Sequence, residues 1–346
     1  MSVLSGVSEF FGLDIGTTAV RLVELSGSGN VRALVKYASI PIEAKVSLSD
    51  AKADQQKVML AVRDLIGQAN ITTKNVAVGL PSQKVFTTVV DIDRLNEGEI
   101  AKTIMYQADS LIPTPIAESK IDWAVLGDSP KDKNKIEVLL TSVTNAYAES
   151  RLDMLESIGL NVIAFEPDHM ALARAVIPAD TTNPCMAVDI GEKTTDIVVT
   201  MAGAPRLARS IPTGNEAIVR AASQNLNIDE KQAAQFINKF GLGKDKLEGQ
   251  IYNAIISTVD ILATEIEKSI KFFQARYTEA RIERIIVTGA ASSLPEFPLY
   301  IANKFGINVE IGNAWRNVSF PANRQNELQA ASNTFGVAAG LAGRQS

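Results

Sequence analysis

The chain carries one strand–turn–strand unit twice. Residues 11–25 read FGLDIGTTAVRLVEL and residues 187–200 read AVDIGEKTTDIVVT. Each copy has an apolar strand, the tripeptide Asp-Ile-Gly, a hydroxyl-rich turn and a second β-branched strand. This is the pattern of a hairpin with glycine in its turn. Asp14 and Asp189 are about 175 residues apart, so a whole lobe repeats rather than a short solenoid unit. A length of 346 residues suits two such lobes.

Around the hairpins, helical and extended periodicities alternate, which predicts an α/β architecture. Helices are expected over 54–69, 97–111, 147–158, 215–226, 229–240 and 251–277, with a mainly helical 294–305 and a last helix over 327–342. Strands are expected over 75–80, 85–92, 121–126, 136–144, 160–165 and 285–288. The αββα-like stretch at about 82–165 reads as a compact inserted subdomain.

Glycine in a turn lets the backbone approach a ligand closely. In Asp14-Ile15-Gly16-Thr17-Thr18, backbone N–H groups and the two hydroxyls suit phosphate oxygens. An aspartate at the end of the preceding strand suits a hydrated Mg²⁺. The second copy, Asp189-Ile190-Gly191-Glu192-Lys193-Thr194-Thr195-Asp196, repeats the parts, and two such turns make a clamp for a nucleotide tail. Lys193 either pairs with a phosphate or faces solvent. Gly214 and Asn215 are expected beside the phosphates. A buried strand ending in Gly289-Ala290, with Ser292 after it, offers small residues to a flat base. Glu265, Lys268 and Ser269 share one helix face by their spacing and are expected to hold the ribose and adenine. No catalytic base is identified.

Composition removes other chemistries. One cysteine, Cys185, and one histidine, His169, exclude an all-Cys/His zinc site and argue against a Ser-His-Asp triad. Cys185 reads as a small buried side chain and His169 as structural. The net charge of −5 gives no general reason to bind nucleic acid or anionic lipid. No apolar run is long enough to span a bilayer, and Met1–Phe11 lacks a signal-peptide pattern, so a cytoplasmic location is expected.

The four motifs in this order resemble the actin, sugar kinase and heat-shock chaperone superfamily. Within it the sequence is most similar to the PilM family of type IV pilus scaffolds, relatives of FtsA. GLDIGTTAVRLVEL at 12–25, Leu80-Pro81, Gly159-Leu160-Asn161-Val162, Ala171–Ala175 and the glycine- and alanine-rich 335–342 carry this similarity over nearly the whole chain. Glu192-Lys193 stand where the superfamily commonly has glycines, and Ala290 stands where a second glycine is usual. The resemblance implies an actin-like (ribonuclease H-like) two-lobe fold. Subdomain 1A is expected at 1–81, 167–180 and 325–346, and an inserted 1C at 82–166. Subdomain 2A is expected at 181–213 and 258–324, and 2B at 214–257. It implies ATP and Mg²⁺ as ligands, with at most weak hydrolysis. It implies docking of the N-terminal cytoplasmic tail of PilN in a cleft between 1A and 1C, which would bring the protein to the inner face of the cytoplasmic membrane. Pilus motor ATPases and the platform protein are implied neighbours, and roles in scaffolding and twitching motility follow. An FtsA-like polymer-forming ATPase and a small-molecule phosphotransferase are the alternatives within the superfamily.

Overall fold

The computed structural model describes residues 9–47, 49 and 51–345. Strands β1 (Phe11–Ile15), β2 (Ala19–Ser26) and β3 (Arg32–Pro41) form an antiparallel meander. Helices α1 (Ala44–Ser47) and α2 (Lys52–Ala69) return the chain to β4 (Asn75–Leu80), which runs parallel to β1. Strand β5 (Val85–Asp93), helix α3 (Glu97–Leu111) and strands β6 (Ser119–Asp128) and β7 (Lys135–Thr144) build a separate sheet, ordered β5-β7-β6. The Asn96 side chain starts α3 by accepting the Glu99 N–H at 3.1 Å. Helix α4 (Asn145–Glu156) leads to β8 (Asn161–Pro167), parallel to β4. The three-stranded sheet thus hangs between two neighbouring strands of the first lobe.

The second half begins with α5 (Asp168–Val176) and the meander β9 (Cys185–Ile190), β10 (Thr195–Met201) and β11 (Ala204–Ile211). Helices α6 (Asn215–Leu226), α7 (Glu230–Phe240) and α8 (Gln250–Arg276) follow. Next come β12 (Arg284–Gly289), α9 (Phe297–Phe305), β13 (Asn308–Ile311) and the short β14 (Val318–Ser319). Helices α10 (Gln325–Ala331) and α11 (Gly336–Ala342) end the chain's regular structure. The first lobe's sheet is ordered β14-β3-β2-β1-β4-β8, and the second lobe's β11-β10-β9-β12-β13. The central strands β1 and β4 are apolar on both faces because helices cover both sides.

Three expectations need correction. Residues 145–166 do not all belong with the insert. Met154 and Leu155 of α4 pack into the first lobe's core, and β8 is paired in that lobe's sheet. Strand β14, expected in the second lobe, pairs with β3 of the first. The single helix expected over 327–342 is broken. Ser332 and Thr334 hydroxyls donate to the carbonyls of Gln329 and Ala331 at 2.9 and 3.0 Å. These local bonds compete with the helical ladder and end α10.

Helices α5 and α11 fill the space between the lobes. Their cluster takes Phe10, Val23 and Ala77 from the first lobe and Ala187, Val198 and Ile286 from the second. The approach is closer than any side chain allows. A Cβ on Gly340 would overlap the Ala171 carbonyl, and one on Gly12 would lie 2.6 Å from the Ala342 amide nitrogen. Neither neighbour is a flexible tip, so a larger residue must push backbone apart. Gly340→Val is expected to lower the unfolding free energy by about 3 kcal/mol, read from denaturant midpoints at constant m-value.

The insert is also clasped to the second lobe by charge. Glu137, on the central strand of the inserted sheet, is 1% exposed. Arg276 Nε, at the end of α8, donates to Glu137 Oε1 at 2.9 Å, and Tyr277 OH donates to the same oxygen at 2.8 Å. Arg276 Nη2 also donates to Asp91, the cross-strand neighbour of Glu137, at 2.8 Å. Arg206 of β11 approaches Glu137 at 3.7 Å and donates to the Leu126 carbonyl at 3.1 Å. Breaking one side of a buried ion pair leaves a desolvated charge behind. Glu137→Gln is therefore expected to destabilise the fold by about 3 kcal/mol, measured by chemical denaturation beside the milder Asp91→Asn.

Candidate functional site

The two Asp-Ile-Gly turns meet in one crevice between the lobes. Its walls include Asp14, Gly16, Thr17 and Thr18 from the first turn and Asp189, Gly191 and Thr194 from the second. The first turn closes with the Gly16 N–H on the Ala19 carbonyl at 3.1 Å. Ser47 of α1 buttresses it, its hydroxyl donating to the Gly16 carbonyl at 2.7 Å. The second turn is braced by the start of α6. The Asn215 and Glu216 N–H groups donate to the Gly191 and Glu192 carbonyls at 2.9 and 3.0 Å. Thr195, fully buried, donates to the Thr213 carbonyl at 2.8 Å.

Gly289 and Ala290 also line the crevice, with Asn333 and Thr334 from the break between α10 and α11. The break was not expected, and it delivers both residues to the site. The Gly289 N–H donates to the Asn333 carbonyl at 2.9 Å. Gly289 has φ +83°, and a Cβ there would sit 2.6 Å from an Asp189 carboxylate oxygen. Glycine is the residue that fits both demands.

Several residues expected at the ligand are not among the crevice walls. Lys193 forms an ion pair with Glu216 and is not among the crevice walls. Gly214 and Asn215 support the second turn from behind, since a Cβ on Gly214 would lie 2.6 Å from the Glu192 carbonyl oxygen. Ser292 is fully buried and donates to the Gly289 carbonyl at 2.8 Å, so it closes its own turn. Glu265 and Ser269 are engaged by Arg209 of β11, at 3.3 and 3.0 Å, and Lys268 pairs with Glu265 at 2.6 Å. Strand β11 is the sheet edge, three strand spacings from β12, or about 14 Å. Glu265 and Ser269 share one helix face, and that face meets Arg209.

The crevice adds carboxylates that the motif reading missed. Asp168 and Asp196 stand among its walls with Asp14 and Asp189. Burial, more than the Asp189 charge, raises Asp14 to about 6 against the opposing effect of Arg21. Asp196 is likewise pushed up to about 6 by burial. Burial and then repulsion from Asp14, Asp196 and Asp189 hold Asp168 well above the usual carboxylate range. Asp189 is raised by burial, while a 2.8 Å hydrogen bond from Thr288 opposes the rise. One oxygen each of Asp168 and Asp196 is buried without a donor. Acceptors in that condition suit a cation and its water shell. Among the described residues no three acidic, histidine or cysteine side chains converge tightly enough to hold an ion directly. A hydrated Mg²⁺, held through water, therefore fits this donor set. His169 is buried, its Nδ1 lies 3.2 Å from the Ser82 hydroxyl, and burial lowers it to about 4, so it is neutral and structural. Cys185 is buried as expected.

Gly289→Ala is expected to reduce stability by about 2 kcal/mol and to displace Asp189. Thermal unfolding, with and without Mg-ATP, checks both effects.

Comparison with known proteins follows the same lines. Residues 12–346 match the family described as type IV pilus assembly protein PilM. A solved PilM-PilN type IV pilus biogenesis complex superposes with a TM-score of 0.82 at 23% identity, covering 98% of this chain and 99% of that one. The ethanolamine utilization protein EutJ from Carboxydothermus hydrogenoformans gives 0.59 at 15% identity, over 96% of this chain and 89% of its own. MreB 5 of Spiroplasma citri bound to AMPPNP gives 0.56 at 13% identity, over 96% and 95% of the two chains. The chain belongs to the type IV pilus assembly protein PilM family and has the actin-like ATPase fold.

Proposed function

We propose that this member of the PilM family is a nucleotide-dependent scaffold. Its two turns hold the phosphates of Mg-ATP, and the docked nucleotide fixes the two lobes in one orientation. The observation that carries the reading is the meeting of both Asp-Ile-Gly turns in one acidic crevice. Asp14 and Asp189, with Asp168 and Asp196 behind them, hold Mg²⁺ through water. Gly16, Thr17, Thr18, Gly191 and Thr194 hold phosphate oxygens. Gly289 and Ala290, with Asn333 and Thr334, take the base. When bound, Mg²⁺ neutralises phosphate charge. ATP acts here through differential affinity for lobe arrangements.

The partner in this reading is the N-terminal tail of PilN. A second groove lies between the first lobe and the inserted sheet, lined by Lys120 and Trp123 of β6, Phe165 of β8, Met170 of α5 and Arg344. Strand β6 is an edge of its sheet. An aromatic and apolar groove beside a strand edge suits a short extended peptide. The solved complex named above pairs a PilM with PilN, and this supports the choice of partner. Among the described residues no helix is long and apolar enough to cross a membrane. Recruitment to the inner face of the cytoplasmic membrane then runs through PilN, with motor ATPases and platform protein close by. Subdomain 1A corresponds to the six-stranded lobe, 1C to the inserted sheet, 2A to the five-stranded lobe, and 2B to α6 and α7.

Asp14→Ala is expected to weaken Mg-ATP binding at least tenfold, whereas Glu265→Ala leaves it unchanged, both by titration calorimetry. Chelation of Mg²⁺ is expected to mimic Asp14→Ala. Trp123→Ala is expected to weaken a PilN tail peptide about tenfold in fluorescence anisotropy, with nucleotide affinity intact. An unaltered ATP affinity in Asp14→Ala refutes the site.

A further inference from the structure

The crevice does not end at the two turns. On the side of the insert its walls continue through Ser47, Lys84, Tyr147 and Arg151. Arg151 lies on α4, one turn after Tyr147, and its Nε donates to the Tyr147 hydroxyl at 3.2 Å. Its Nη2 donates to the Ser47 carbonyl at 3.4 Å, and the Ser47 hydroxyl donates in turn to Gly16. The guanidinium is thereby two hydrogen bonds from the first phosphate turn. Arg151 and Lys84 both stack against the Tyr147 ring, at 5.3 and 5.4 Å from its centroid.

The partners of Arg151 set it apart from the other arginine of the crevice. Arg21 lies 3.4 Å from the Asp14 carboxylate, so its charge is matched within the protein. Among the described residues Arg151 meets a carbonyl, a phenol hydroxyl, an aromatic ring and, at 3.8 Å, the Met154 sulfur, and no carboxylate. Every one of those partners is neutral. A guanidinium has five N–H donors in a fixed fork, and one on each Nη remains for a ligand. A half-buried cation with neutral neighbours, at the rim of a crevice whose floor is acidic, calls for an anion. Arginine's fork matches phosphate oxygens in two-point contact.

The direction of the nucleotide follows from the crevice. Gly289 and Ala290 mark the base end in the second lobe. The two turns take the inner phosphates. Arg151 and Lys84 then face the end of the chain of phosphates, on the insert's side. We propose that Arg151, with Lys84 beside it, holds the terminal phosphate and makes the crevice distinguish a nucleoside triphosphate from a diphosphate. The inference rests on the nucleotide reading above. It adds a specificity element from the insert's root, where no motif marks it.

Titration of wild type, Arg151→Gln, Arg151→Lys and Lys84→Gln with Mg-ATP and Mg-ADP tests this. Arg151→Gln is expected to weaken ATP about tenfold, the loss of one charge-assisted contact, and to leave ADP within twofold. Arg151→Lys restores part of the ATP affinity, because the charge returns without the fork. Lys84→Gln shows a smaller loss confined to ATP. Thermal midpoints without nucleotide report whether each variant is folded, and the lysine variant keeps the test open if the glutamine variant is not. Equal weakening of ATP and ADP, or no change in either, overturns the proposal. If wild type binds neither nucleotide, the nucleotide reading itself fails and the proposal falls with it. If wild type binds both and their ratio survives in Arg151→Gln, the proposal alone fails.

Discussion

The distance between the two turns depends on how closely α11 can lie against α5 and β1. Gly340 on Ala171 and Gly12 against Ala338 and Ala342 bring backbone onto backbone. The strand that bears Asp14 and the helix that begins with Asp168 are thereby fixed to one small-residue wedge. That wedge also carries apolar contacts from the second sheet. Dispersion at such short range falls off steeply with any gap, so the wedge resists being slightly wrong. Four aspartates are held near one another in the crevice on this support, although their mutual repulsion opposes it. A core with longer side chains at the wedge would hold the lobes together less closely and relax the crowding of charge that suits a cation.

What sequence reveals here is whatever depends on near neighbours. The hairpins, their glycine turns and most helices follow from local periodicity and turn chemistry. Gly289 was legible as the end of a buried strand before a turn. Lys193 was not, since its partner Glu216 lies on a helix that only the fold brings alongside. Glu265, Lys268 and Ser269 share a face as their spacing requires, but spacing does not say what the face meets. Arg209 is 56 residues away from Glu265 and reaches it only because β11 is the sheet edge. The break at Ser332–Thr334 had a local signal in three consecutive polar residues able to bond the preceding carbonyls. Asp168 also had one, an acidic residue directly after Pro167 at a helix start. Asp196 stood within the second motif. Arg151 had none, because its meaning comes from a tyrosine one turn away and from a serine about a hundred residues earlier.

The site divides its work between backbone and side chain. The turns are fixed by backbone bonds, and Gly214 and Gly289 beside them admit no Cβ, so their geometry depends little on rotamer choice. The charged groups are fewer and come from many elements, namely β1, α5, β9, β10 and α4. Preorganised dipoles on a rigid frame cost little to reorganise when an anion arrives. Ser292 and Asn215 are not among the crevice walls but brace the segments that are. They donate to the Gly289 and Gly191 carbonyls, which would otherwise lose a partner.

The insert is joined to the first lobe by peptide chain and to the second by Glu137, Asp91, Arg206, Arg276 and Tyr277. Such a joint is wettable. If it parts, water can solvate the charged groups that it uncovers. Glu137 is buried, so salt screens its pairs far less than it would screen a surface pair. The third body of the protein is thus hung like a bridge deck from two unlike anchors, one of peptide chain and one of buried charge.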